Sequence, residues 1–124
     1  MTAPHRLVVV VDDDVSVRES LPDLLRLLGH EAEVFASAAD FLGSGAPARA
    51  DCLILDVAMP GMSGPALMRQ AAVQGRRIPV IFITALHDGL LRHRLLAQGA
   101  SACLFKPFGE RDLVDALGAA RIAA

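Results

Sequence analysis

Apolar residues along this chain fall into five short blocks, at 6–11 (RLVVVV), 31–35 (EAEVF), 52–55 (CLIL), 79–83 (PVIFI) and 102–105 (ACLF). Each has the length and composition of a β-strand. The first, third and fourth are nearly continuous, the pattern of strands buried on both faces. Between the blocks the period becomes helical: Val17, Leu21, Leu24, Leu25 and Leu28 recur at i, i+4, i+7, i+8 and i+11, and Gly29 supplies a stop. Further helices are expected over 38–42, 64–74, 89–98 and 110–119. Five alternations of strand and helix imply an α/β domain whose parallel sheet is covered on both faces and joined by right-handed crossovers. Pro22 conflicts locally with the first helix, because it removes a backbone donor, and a kink is expected there. The segment GSGAPARA, 43–50, reads as a loop.

Composition narrows the class. At 124 residues, with 53% hydrophobic and 21% charged residues, the chain is expected to form one globular domain, 1–124. A net charge of −2 gives no electrostatic footprint for nucleic acid or for an anionic membrane. No apolar run approaches the ~18 residues needed to span a bilayer, and no basic-then-apolar leader precedes Leu7, so a cytoplasmic location is expected. Cys52 and Cys103 both fall in strand blocks, where thiols are buried and inert. Among 12 basic residues Lys106 is the single lysine, placed between Phe105 and Pro107.

Candidate chemistry gathers where the strands end. In an open parallel sheet ligands bind outside the carboxyl ends of the strands, where strand order reverses. The first strand runs into Asp12, Asp13 and Asp14, the third into Asp56, the fourth into Thr84 and the fifth into Lys106. Crowded carboxylates repel, and a bound divalent cation relieves them. With oxygen ligands only, the hard cation Mg²⁺ fits better than zinc. A carboxylate nucleophile beside a metal, a hydroxyl and an ammonium is equipped for phosphoryl transfer. Taken singly, Asp14 is a good helix N-cap and Asp56 a good turn residue. Convergence from four strand ends is what carries weight.

The blocks VVVVDDDVSVRESL, FASAADFL, LILDVAMPGMSGPAL, IPVIFITA and LFKPF resemble, in order and spacing, the receiver domains of two-component response regulators, and most closely the FixJ-type subgroup. The resemblance covers roughly residues 6 to 120. It implies a doubly wound (βα)5, flavodoxin-like (CheY-like) fold with strand order 2-1-3-4-5, in which Cys52 and Cys103 are too far apart to bridge. It further implies that Asp56 accepts a phosphoryl group from a sensor histidine kinase or phosphotransfer protein. Asp12, Asp13, Asp56 and the backbone carbonyl of Ala58 would hold Mg²⁺, Thr84 and Lys106 would bind the phosphoryl oxygens, and the Lys106–Pro107 bond would be cis. Catalysis would be limited to the chain's own phosphorylation and dephosphorylation. A downstream protein would dock on the face formed by the fourth helix, fifth strand and fifth helix (the α4-β5-α5 face, 89–98, 102–105 and 110–119), and a homodimer formed on phosphorylation is the further assembly implied.

Two departures from the family pattern bear on mechanism. The residue three before the lysine is an aromatic in most of the family and is Cys103 here, while Phe105 precedes the lysine where FixJ-type receivers often carry an acid. Cys103 and Phe105 should share one face of the fifth strand, so Phe105 is expected to supply an apolar contact on the α4-β5-α5 face. Ala58 and Leu86 stand two residues after Asp56 and Thr84, where many relatives place polar groups that influence hydrolytic water. A long-lived aspartyl phosphate is therefore expected.

Two other readings compete. VVVVDDDVS also resembles the first motif of haloacid-dehalogenase-like phosphatases, with Asp12 as nucleophile and Asp14 as general acid, but that leaves Asp56 idle and supplies no further acidic strand end after the lysine. A degenerate receiver that works as a binding module without phosphorylation is the other alternative, and Cys103 speaks for it. FixJ-type receivers often precede a helix-turn-helix domain and this sequence carries none, so the chain is either a single-domain regulator acting through protein contacts, which is the expected form, or a receiver excised from a longer regulator.

Overall fold

The computed structural model describes residues 6–73 and 77–121. The order of elements is β1 (Leu7–Val11), α1 (Val15–Leu27), β2 (Glu31–Phe35), α2 (Ala38–Leu42), a 3₁₀ turn (Ala46–Ala48), β3 (Cys52–Asp56), α3 (Gly64–Val73), β4 (Val80–Thr84), α4 (Gly89–Ala97), β5 (Ala102–Phe105) and α5 (Glu110–Ala119). All strand pairs are parallel and the sheet order is β2-β1-β3-β4-β5, the expected doubly wound topology.

Every residue of β1, β3 and β4 is buried, which accounts for their unbroken apolar runs. Alternation along these strands divides the core in two. Val9, Val11, Leu53, Leu55, Phe82 and Cys103 pack beneath Phe41, Leu67 and Leu95 of α2, α3 and α4. Val8, Val10, Cys52, Ile54, Ile81 and Ile83 pack on the opposite face against Leu21 and Leu25 of α1 and Leu113 and Leu117 of α5. Cys52 and Cys103 thus lie on opposite faces of non-neighbouring strands, both as free buried thiols. Burial pushes the Cys52 thiol up to about 12 and raises that of Cys103 as well.

Local chemistry explains the boundaries. Asp14 caps α1 by accepting from the Ser16 backbone N–H at 2.9 Å, and Gly29, at φ 95°, turns the chain out of it. The helix continues through Pro22 as one element, with the proline ring buried. The 43–50 segment is not wholly irregular: Pro47 opens a 3₁₀ turn that buries Ala46, and Ala50 is buried just beyond it. Residue 74, the expected end of the third helix, lies outside the described residues. The sheet's two edges differ. β5 is only four residues long, whereas β2 carries Glu31 and Glu33 and is tied by Arg49 to Glu33 at 2.7 Å.

Candidate functional site

Register places the acidic residues. Val11 pairs with Leu55, so Asp12 stands level with Asp56 at the point where the chain order reverses between β1 and β3. Asp56 pairs with Ile83 and Thr84 with Phe105, which carries Thr84 and then Lys106 just beyond the same rim. Asp12, Asp13, Asp56, Thr84 and Lys106 therefore meet there, with Asp12, Asp56 and Thr84 buried and Asp13 exposed. Asp14 does not join them. Its carboxylate is engaged by the Ser16 N–H and, at 2.8 Å, the Ser16 hydroxyl, and these hydrogen bonds hold it below its ordinary pKa.

Carboxylate oxygens of Asp12, Asp13 and Asp56 lie within 4.8 Å of one another. Lys106 Nζ sits 2.8 Å from Asp12 Oδ2 and 3.7 Å from Asp56 Oδ1. The first contact is a close ion pair, and the ammonium is the one basic group that reaches the buried Asp12 carboxylate among the described ion pairs. Burial, and after it the Asp12 charge, push the Asp56 carboxyl up to about 7, although Lys106 pulls the other way. For Lys106 burial opposes the charge, but the Asp12 carboxylate, with Asp56 and Asp14 behind it, outweighs burial and holds the ammonium above its ordinary range. One ammonium against three acids leaves the cleft short of positive charge. An all-carboxylate set of oxygens gathered within 4.8 Å, with one ammonium to balance it, is the donor chemistry that suits a hard divalent cation.

Thr84 accepts a 3.0 Å hydrogen bond from the Leu86 N–H, and its backbone carbonyl accepts from the Lys106 N–H at 2.7 Å. The Lys106–Pro107 bond is cis, as expected. Ala58 is exposed in the turn after β3, and Leu86 is 60% exposed after β4. Cys103 and Phe105 do share a face, toward α4, with Cys103 buried and Phe105 half-buried. Phe105 is not free-standing, however. His87 stacks on one side of it, with ring centroids 5.2 Å apart and planes 16° from parallel, and the Arg92 guanidinium lies 5.7 Å from its centroid.

Three residues near the site escape a reading of motifs. Gly64 was legible only as a turn residue, yet a Cβ there would stand 2.3 Å from the Asp56 carbonyl oxygen, so α3 approaches the acidic strand end only without a side chain. Arg18 donates from Nη1 to the Asp12 carbonyl at 2.9 Å, and no pattern of charge announces it. His87 is reached only through the pairing of β4 with β5.

This topology and acidic cleft define a response regulator receiver, and the chain belongs to that family: the model for the response regulator receiver domain matches residues 8–118. Receivers of the family bind Mg²⁺ at an acidic pocket, and Asp12, Asp13 and Asp56 form an acidic cluster in this chain. Among particular relatives, the chain is 42% identical over 114 residues to nodulation protein W of Bradyrhizobium diazoefficiens, covering 92% of this chain and 50% of that one. It is 38% identical over 110 residues to the transcriptional regulatory protein FixJ of Azorhizobium caulinodans, covering 89% and 52%, which supports the FixJ-type assignment. The crystal structure of a response regulator receiver protein from Burkholderia phymatum matches with a TM-score of 0.81 and 44% identity, over 96% of this chain and 98% of that one. The chain thus spans about half the length of the curated relatives it matches. No helix among the described residues is long and apolar enough to cross a membrane.

Proposed function

We propose that Asp56 is the phosphoacceptor and that its modification by a sensor histidine kinase or phosphotransfer protein switches the α4-β5-α5 face for a downstream protein. One observation carries the reading: Lys106 Nζ reaches both Asp12 and Asp56, so the candidate nucleophile and a fixed cation share one cleft. An Asp56 oxygen attacks phosphorus in line as the bond to the donor's imidazole nitrogen breaks, and that electron pair returns to the imidazole. Lys106 pairs with the phosphoryl oxygens, and the Thr84 hydroxyl, giving up its Leu86 partner, donates to one of them. Asp12, Asp13 and Asp56, with the Ala58 carbonyl, would hold Mg²⁺, which when bound supplies the positive charge that three carboxylates and three phosphoryl oxygens require. The chain then acts in the cytoplasm through protein contacts, with a homodimer formed on phosphorylation as a further assembly. Direct contact with nucleic acid is not assigned to these residues.

The experiment is intact mass after incubation with acetyl phosphate, with and without Mg²⁺, on this protein and on Asp56→Asn. The expected outcome is an Mg²⁺-dependent gain of one phosphoryl group that the variant lacks. No gain in either protein overturns the reading in favour of a contact-only module. Because neither Ala58 nor Leu86 has a polar group to orient water, the phosphoryl group on Asp56 should be long-lived. A half-life of seconds without a phosphatase, followed in the same assay, would contradict this.

A further inference from the structure

Resting on that reading, we infer that His87 is a positioning residue, a latch that holds Phe105 shut in the unphosphorylated chain and releases it when Thr84 engages the phosphoryl group. Residues 85–88 are all exposed, and their described contacts tie them down at few points. The Leu86 N–H is bound to Thr84 Oγ1, Asp88 caps α4 through the Leu90 and Leu91 N–H groups, and between them His87 crosses to the end of β5. There its Nε2 lies 2.8 Å from the Lys106 carbonyl oxygen. A carbonyl can only accept, so Nε2 carries the donated proton. The same imidazole stacks on Phe105, whose ring is also approached by Arg92 from α4.

One short segment therefore joins both phosphoryl-binding side chains to the Phe105 face. A Thr84 hydroxyl that turns into the cleft must leave the Leu86 amide, and that amide is one residue from His87. A Lys106 ammonium that shifts from Asp12 to a phosphoryl group pulls on the residue whose carbonyl His87 holds. Both movements act on the latch from opposite sides, while Asp88 keeps the far end of the segment fixed to α4. Release uncovers the Phe105 ring and the Cys103 thiol packed in the same core. The aromatic group of the switch has thereby moved two residues along β5, from the position of Cys103 to that of Phe105.

The two thiols supply the readout. Cys103 is 2% exposed on the Phe105 face, and Cys52 is fully buried on the opposite face and serves as internal reference. Alkylation of each by iodoacetamide is followed by peptide mass, before and after acetyl phosphate with Mg²⁺, in the intact chain and in His87→Ala and His87→Phe. His87 is exposed, so its replacement leaves the core intact. Phosphorylation should speed Cys103 labelling roughly five- to tenfold in the unaltered protein, a factor typical of coupling between sites. His87→Ala should reach that rate without phosphorylation and no longer respond to it. His87→Phe keeps a ring over Phe105 but lacks the donor, and should fall between the two. The latch is overturned if His87→Ala labels at the unaltered rate, if Cys52 accelerates in parallel, or if Asp56 gains the phosphoryl mass while Cys103 does not respond. Failure of the mass gain alone defeats the phosphoacceptor reading, and the comparison of unphosphorylated proteins still decides whether His87 covers Phe105.

Discussion

Two neighbouring regions of the carboxyl rim are built on opposite principles. At the ends of β1 and β3, buried carboxylates are crowded around one ammonium, and Asp56 is held far from its ordinary pKa. At the end of β5, Phe105 is only half-buried and is covered by an exposed histidine and an exposed arginine. The cleft stores a large electrostatic imbalance, and the face is closed by contacts worth about 0.5–1.5 kcal/mol each. A change of charge in the cleft can therefore outweigh what closes the face, and signal should flow from cleft to face with little cost.

The largest test of this contrast is Lys106→Met, which leaves the buried carboxylates without their cation. Loss of one partner from a buried pair costs about 3 kcal/mol, and urea unfolding at pH 8 without metal should show a fall of that order. Added Mg²⁺ should restore part of it.

Asp56→Asn should act in the opposite direction, stabilising the metal-free protein by about 2 kcal/mol at pH 8, since one pKa unit corresponds to about 1.4 kcal/mol and solvent access reduces the full shift. The sign follows from the raised carboxyl: between its unfolded value, 3.8, and about 7 the folded chain keeps a proton that the unfolded chain has released. Stability of the unaltered protein should fall as pH rises through that window and level off above it. Asp56→Asn should flatten the slope. An unchanged slope would mean that Asp56 is not the group under strain.

The smallest effect belongs to the face. Phe105→Leu keeps apolar volume but removes the stack and the cation–π contact, and should cost about 1 kcal/mol with little dependence on salt-free or metal-bound conditions. Phe105→Glu should in addition weaken binding of a downstream partner that depends on phosphorylation. A stability loss as large as that of Lys106→Met would erase the distinction between the two regions.

Most of the cleft is legible in the sequence, because its residues end strands and strand ends are what a doubly wound fold brings together. Asp12, Asp56, Thr84 and Lys106 are visible as polar residues that interrupt apolar blocks. The rest depends on distances between segments far apart in sequence. His87 is an exposed residue in an irregular segment, and only the pairing of Thr84 with Phe105 brings its ring to β5. Gly64 has the same character, since a glycine in PGMSG reads as turn chemistry until Asp56 is found against it. Pro22 sits inside the helix that the apolar period predicts. Its ring is buried and α1 runs on past it, so packing offsets the ladder bond the proline cannot make.

The two rims of the sheet carry a consequence for self-association. Unpaired strand edges invite a second sheet to add on, the route by which many soluble proteins aggregate. Here one margin is four residues long, and the other would have to strip water from Glu31 and Glu33 and part Glu33 from Arg49 before a foreign strand could lie against it. Copies of this chain are thus steered away from fibrous, edge-to-edge growth. Where they do meet, helical flanks are the surfaces left for them to use, so self-association can remain finite and reversible.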